Sequence, residues 1–287
     1  MASLREIRRR IKSVKSINDI TKAMELISAV RFKKVDKRFH QANNYFANLE
    51  RLVSRVLSSE LTQKNPFFEK RTVRTELLIV ISGDRGLCGS FNSNILKLLQ
   101  KYILEHSDRK IVVFPIGKVV NNFVRKRNYN VIDHWIDIGY QFKGDDLKTR
   151  TQKFVDGFLN QEYDKVTVIS GRFSRTGSTG AVIENYLDLG YLLDLNKDEN
   201  KQQDYIFEPD KQSVLDTLVQ LYIKQKFFML LLRSVTAEYF ARMLAMKQAS
   251  DNGKELVQEL TLERNKVRQA MITRELSEII GGANALN

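Results

Sequence analysis

Proline and glycine are missing from both ends of this 287-residue chain. Neither occurs between Met1 and Asn65, and between Lys211 and Ile280 only Gly253 does, while Pro66, Pro115 and Pro209 fall in or at the edge of the middle. Proline removes a helix hydrogen bond and clashes with the preceding turn, and glycine raises the entropy cost of helix formation, so their absence permits long uninterrupted helices. The chain therefore divides into an N-terminal helical arm at 1–65, a central domain at 66–208 and a C-terminal helical arm at 209–287.

In the first arm Leu4, Ile7, Ile11 and Val14 step by three, four and three, the apolar seam of a coiled coil. Ile17, Ile20, Met24, Ile27 and Val30 are read as continuing that seam after one three-residue slip. An arm helical to about Leu57 is on the order of 80 Å long and needs a partner along its length. The last arm offers one in Leu215, Leu218, Tyr222, Leu230, Leu231, Val235, Met243, Met246, Leu256, Leu260, Val267, Ala270, Leu276 and Ile279. Glu208-Pro209-Asp210 marks its start and Gly281-Gly282 its stop. The two arms are expected to pair antiparallel; a compact helical bundle is the competing arrangement.

The middle alternates strand and helix. Leu77–Ser82, Ile111–Phe114, Asn130–Ile132 and Lys165–Ser170 read as extended, and Asn92–Leu104, Lys118–Arg127 and Lys148–Leu159 as helical. This order predicts an α/β, Rossmann-like domain on a mainly parallel sheet covered on both faces. Gly171–Gly180 reads as a mobile surface loop.

Charge is unevenly spread. The net charge is +13, and Met1–His40 alone holds twelve Lys and Arg against four acids. Such a block suits a nucleic-acid backbone, an anionic membrane or an acidic protein partner, or is simply a solvated face. The single cysteine, Cys88, allows no internal disulfide, and His40, His106 and His134 have no metal-ligand spacing, so neither a metal nor a cofactor is expected. No apolar run approaches a membrane span, and Met1–Glu6 lacks the layout of a signal peptide.

Gly83-Asp84-Arg85-Gly86-Leu87-Cys88-Gly89-Ser90, at a strand-to-helix turn, is the stretch most like a nucleotide motif. Its GxxGxxG spacing fits neither the dinucleotide fingerprint nor the P-loop. Asp84 and Arg85 lack a visible base or nucleophile partner, and Cys88 reads as a small buried hydrophobe rather than a reactive thiol. These readings leave a basic coiled-coil nucleic-acid-binding protein as one alternative and a nucleotide-dependent α/β enzyme as a weaker one.

Ala2–Ile11, with Ile20-Thr21-Lys22-Ala23-Met24, resembles the N-terminus of the γ subunits of rotary F-type ATP synthases. Ser82–Gly89 followed by Asn92-Ser93-Asn94 resembles that family's central motif. Ala241–Lys247, Asp251-Asn252, Asn265–Ala270, Ile272–Leu276 and Gly281-Gly282-Ala283 follow its C-terminal pattern in order. Ile17-Asn18-Asp19 and Glu238-Tyr239-Phe240 depart from it, and Gly171–Gln203 follows it loosely.

The resemblance implies a non-catalytic central-stalk subunit that transmits torque between a proton-driven membrane ring and a catalytic α/β hexamer. Implied partners are the α, β and ε subunits and the c-ring, with no cofactor and no nucleic acid. The implied location is the cytoplasmic side of a bacterial inner membrane, held peripherally through those partners. Carried over residue by residue, Lys22, Met24, Arg242, Arg268, Gln269 and Thr273 become contacts to β-subunit loops. Tyr205, Phe207 and Glu208 become contacts on the rotor-ring and ε side.

Overall fold

A computed structural model describes residues 3–57, 65–139, 142, 144–173, 179–195 and 207–285. The elements in chain order are α1 (Leu4–Val56), a short 3-10 turn (Pro66–Phe68), β1 (Thr75–Ile81), α2 (Phe91–Glu105), β2 (Lys110–Ile116), α3 (Lys118–Lys126), α4 (Gly144–Leu159), β3 (Lys165–Phe173), β4 (Thr179–Asn185), α5 (Tyr191–Leu195) and α6 (Lys211–Ala285). The chain separates into two units, one of residues 1–28 with 242–287 and one of residues 29–241. The terminal helices, of 53 and 75 residues, contribute to both.

The 29–241 unit is built on a four-stranded sheet of order β2-β1-β3-β4. β1 pairs parallel with β2 and β3, whereas β3 and β4 run antiparallel. The sheet is therefore mixed and not strictly Rossmann-like, and the expected surface loop at Gly171–Gly180 supplies strand residues at both its ends. The connection between β3 and β4 is too short for the helical crossover that a parallel neighbour requires. β1 is an apolar run because both its faces are covered. Leu78 and Val80 pack with Ile95, Leu99, Val120 and Val124 of α2 and α3. Leu77 and Ile79 pack with Phe154, Phe158, Phe227 and Leu231 of α4 and α6.

Gly171 on β3 occupies the tightest point of this packing. A Cβ there would stand 2.2 Å from Cε2 of Phe91, whose ring is itself buried. Gly171→Ala should cost about 1–3 kcal/mol as the ring is forced from its place. Chemical denaturation of the full chain measures this, and an unchanged midpoint would mean that the α2–β3 contact is loose.

Within this unit α1 and α6 lie antiparallel. Phe32 meets Phe240, Val35 packs with Leu232 and Val235, and Phe46 stacks on Tyr222, so the partner number falls as that on α1 rises. Glu50 of α1 accepts a hydrogen bond of 2.8 Å from the Tyr222 hydroxyl, which also contacts that of Tyr191.

Beside them Lys226 of α6 is buried. Its ammonium donates to the Tyr186 carbonyl at 3.1 Å and lies 4.9 Å from the centre of the Tyr191 ring. Burial lowers its pKa from 10.5 to about 8, against the opposing attraction of Glu184, Glu50 and Asp188. Between those two values the unfolded chain holds a proton that the folded chain has released, so folding gains as pH rises through this window. Below it the charged form costs the fold about 3 kcal/mol. Stability relative to a Lys226→Met variant should therefore rise by about that amount from pH 7.5 to 10.5. A pH-independent difference, measured by denaturant titration, would refute the buried-ammonium account.

In the other unit the buried line of α1 differs from the expected one. Ile7 and Ile11 are buried, and the inward positions continue through Val14, Asn18, Thr21, Met24 with Glu25, and Ser28. This three-four alternation has no slip. Ile17, Ile20 and Ile27, expected in the seam, are 57%, 58% and 53% exposed, and Val30 of the neighbouring unit is exposed too. The seam tolerates polar residues because their groups are used: Asn18 accepts a 3.0 Å hydrogen bond from the Ser250 hydroxyl, and Thr21 donates to the Asn18 carbonyl at 2.9 Å. Gly253 permits the approach, since a Cβ there would stand 3.2 Å from Oδ1 of Asn18.

α6 begins where expected, with the Asp210 carboxylate accepting from the Ser213 amide and hydroxyl. It does not stop at Gly281-Gly282 but continues to Ala285. Residues 268–281 are all exposed, so Ala270, Leu276 and Ile279 do not face inward as expected. Asn18 lies level with Ser250, and α1 begins only 14 residues earlier, at Leu4, so it runs out before reaching this segment.

Candidate functional site

In the central unit, the loop that most resembled a nucleotide site is used up in holding itself. The Asp84 carboxylate accepts from the backbone amides of Lys118 and Asp137, each at 3.0 Å. Asn92 accepts from the Gly83 amide and donates to the Arg85 carbonyl, with its amide nitrogen 3.2 Å from the buried Cys88 sulfur. The Ser82 hydroxyl accepts from the Val120 amide at 3.0 Å. A Cβ on Gly83 would stand 2.8 Å from the Glu238 carboxyl carbon of α6, so the glycine admits a close side-chain approach. Asp84, Asn92 and Ser82 thus fasten α2 and α3 to the sheet end.

The other candidate surface is the helix pair of the 1–28 and 242–287 unit. Arg5, Arg8, Arg9, Arg10, Lys12, Lys15 and Lys22 are all exposed, a basic face along the first six turns of α1. Short local pairs temper it, Arg10 with Glu6 and Lys22 with Glu25. Ile17, Ile20 and Ile27 add an exposed apolar stripe on α1, and Leu262, Met271, Ile272, Leu276, Ile279 and Ile280 do so on α6. Exposed large apolar side chains gathered along a helix in this way suit a surface that another molecule covers. The spacing of the α1 isoleucines was visible in the sequence; the direction they face was not.

The carried-over residues fall at two levels. Lys22 is exposed and Met24 half-buried on α1, within two turns of the Asn18–Ser250 contact. Arg242 is 8% exposed, so little of its side chain reaches solvent. Arg268, Gln269 and Thr273 are fully on the surface of α6. Arg268 lies roughly 39 Å along the axis from Arg242, so the two cannot serve one contact. In the central unit Glu208 is exposed, Phe207 is half-buried against the core with the Lys211 ammonium 5.6 Å from its ring centre, and Tyr205 lies outside the described residues.

One unit carries long paired helices with a basic and apolar outer face, and the other a sheet whose end loop is held by its own hydrogen bonds; together these are the features of a coupling or scaffolding chain. A family model described as ATP synthase matches residues 3–286. The ATP synthase gamma chain of Amoebophilus asiaticus is 36% identical over all of both chains, and that of Chloroherpeton thalassium is 37% identical over all of this chain and 99% of its own. This chain belongs to the ATP synthase gamma-chain family. Its fold is also that of a chain in the Euglena gracilis mitochondrial ATP synthase (TM-score 0.66, 18% identity, 99% and 94% covered). A chain of the Tetrahymena thermophila central stalk and c-ring is similar as well (TM-score 0.61, 22% identity, 80% and 99% covered).

Proposed function

We infer that this chain is the rotor shaft of an F-type ATP synthase, non-catalytic by itself, carrying torque between an ion-driven membrane ring and the nucleotide sites of an α/β hexamer. The observation that carries this reading is the stretch 268–281 of α6, a helix exposed on every side that nonetheless bears Met271, Ile272, Leu276, Ile279 and Ile280. An amphipathic helix without an inner partner is stable in water only if something encloses it. A ring of subunits would do so, and the basic face of α1 suits acidic loops on that ring.

Coupling then follows from differential contact. A β subunit in the conformation that fits one face of the shaft is favoured there, and turning the shaft transfers that preference to the next subunit. Charge-assisted hydrogen bonds from Lys22, Arg268, Gln269 and Thr273, at about 1.5–3 kcal/mol each, hold an orientation without locking it. Arg242 contributes through the small part of its side chain that reaches solvent, and Met24 lies on the same stretch of α1 as Lys22. Phe207, Glu208 and Tyr205 are the contacts assigned to the c-ring and the ε subunit. Among the described residues no helix is long and apolar enough to cross a membrane. Attachment through these partners, on the cytoplasmic side of a bacterial inner membrane, belongs to the same proposed reading.

Co-expression with α and β subunits tests this. A stoichiometric complex that hydrolyses ATP only when this chain is present is the expected result. A chain that stays apart, or that is retained on nucleic acid with an affinity falling steeply with salt, would replace the shaft by the basic coiled-coil reading.

A further inference from the structure

The two edges of the sheet are finished differently. Along β2 the chain covers its own edge: Val113 donates to the Asn130 carbonyl at 2.7 Å, Ile132 donates back to Val113, and Trp135 and Pro115 are joined in the same way. At β4 nothing comparable is present among the described residues. The Tyr186 amide donates to the Val166 carbonyl at 2.8 Å, which fixes the phase of the antiparallel ladder. Val182, Glu184 and Tyr186 turn their backbone groups toward β3, and Ala181, Ile183 and Asn185 turn theirs away. Those three residues thus present both an N–H and a C=O outward, in a row spaced by about 7 Å.

Sheet edges left in this state attract other strands, and proteins usually blunt them with lysine, proline or a bulge. β4, Thr-Gly-Ala-Val-Ile-Glu-Asn, has no lysine and no proline, and its one charge, Glu184, is neutralised by Arg233 of α6. Ile183 is exposed on the side of the sheet that α2 covers. On the other side a groove of about 900 Å³ borders the strand, lined by Phe32, Phe39 and His40 of α1 with Arg172, Glu184 and Arg233.

We propose that β4 is a strand-addition site, completed by an extended segment from a second subunit that turns with this chain. The identity of the occupant follows from mechanics and rests on the rotor-shaft reading. A strand joined through a fixed backbone register cannot slide, and a stationary subunit paired here would have to break the whole ladder on every turn. The segment is extended over about five residues, places an apolar side chain against Ile183, and carries an acid on the other face within reach of the exposed Arg172.

Hydrogen exchange on the complete ATP synthase, set against the isolated chain, tests the proposal. Val182 and Glu184 amides should exchange slowly in both states. Those of Ala181, Ile183 and Asn185 should exchange freely in the isolated chain and at least about tenfold more slowly in the complex. Ile183→Pro removes an outward amide while sparing the β3 ladder, and should strip the co-rotating subunit from complexes that retain α and β; Ile183→Ala should keep it. If the three outward amides remain fast in the complete complex, or Ile183→Pro leaves the rotor fully occupied, strand addition at β4 is wrong while the shaft reading stands. A chain that never co-purifies with α and β overturns both.

Discussion

Val267→Pro is expected to abolish ion-driven ATP synthesis while leaving the sheet domain folded. Val267 is half-buried in α6, deep inside an uninterrupted helix. Proline there removes the amide that bonds to the carbonyl four residues earlier and drives its ring into that carbonyl, at a cost of about 3 kcal/mol or more. The damage falls where the helix loses its partner in α1, so the exposed segment beyond it is re-aimed. Torque applied at one end would then bend the shaft instead of turning it, and Arg268, Gln269 and Thr273 would leave their places. Val267→Ala keeps the backbone and should retain most of the coupling. Reconstituted vesicles give ATP synthesis and ATP hydrolysis separately, and a Val267→Pro complex that assembled and synthesised ATP at the normal rate would rule out a stiff shaft.

The helices were legible because two independent signals agreed, the missing Pro and Gly and the three-four spacing of Leu4, Ile7, Ile11 and Val14. From Ile17 onward the same spacing misled, and the reason is physical. Apolar periodicity identifies a surface that avoids water without saying whether the chain itself or another molecule covers it. In this fold Asn18, Thr21 and Ser28 face the seam, where the contact with Ser250 satisfies Asn18, and the isoleucines are left for a partner. Exposure of Ile279 and Ile280 follows the same logic: α1 is too short to reach them. Gly281 and Gly282 failed to end α6 because glycine lowers helix propensity without forbidding a helix.

The central strands β1, β2 and β3 were legible as apolar runs because a parallel sheet covered on both faces needs them. β4 escaped notice for the converse reason: an edge strand with a glycine and an exposed isoleucine has no strong pattern of its own, and its pairing depends on β3. The Gly83–Ser90 loop was legible as a turn of no known nucleotide type. That Asp84 fastens two distant backbone amides required the fold, since Lys118 and Asp137 lie 34 and 53 residues away.

The largest loss of stability from a single truncation should come from Glu76→Ala, at about 3–5 kcal/mol. Glu76 sits fully buried on β1, an acid in an otherwise apolar strand. Its carboxylate accepts from the Tyr102 hydroxyl at 2.7 Å, the Thr167 hydroxyl at 2.5 Å and the Arg109 guanidinium at 3.0 Å, with the Lys165 ammonium at 3.8 Å. Alanine removes the acceptor and leaves two cations and two hydroxyls facing one another in a poorly hydrated site, which is costlier than never having built the network. Glu76→Gln preserves shape but turns an NH2 toward donors, so it should fall between alanine and the native residue. Tyr102 supplies a second readout: burial, followed by the hydrogen bond to Glu76, pushes its pKa up to about 12. Without the carboxylate that value should fall toward the ordinary tyrosine range, though not all the way, because burial is the larger cause. Denaturant unfolding and ultraviolet titration of the full chain measure the two effects. A loss below about 1 kcal/mol would mean that water already reaches the Glu76 carboxylate.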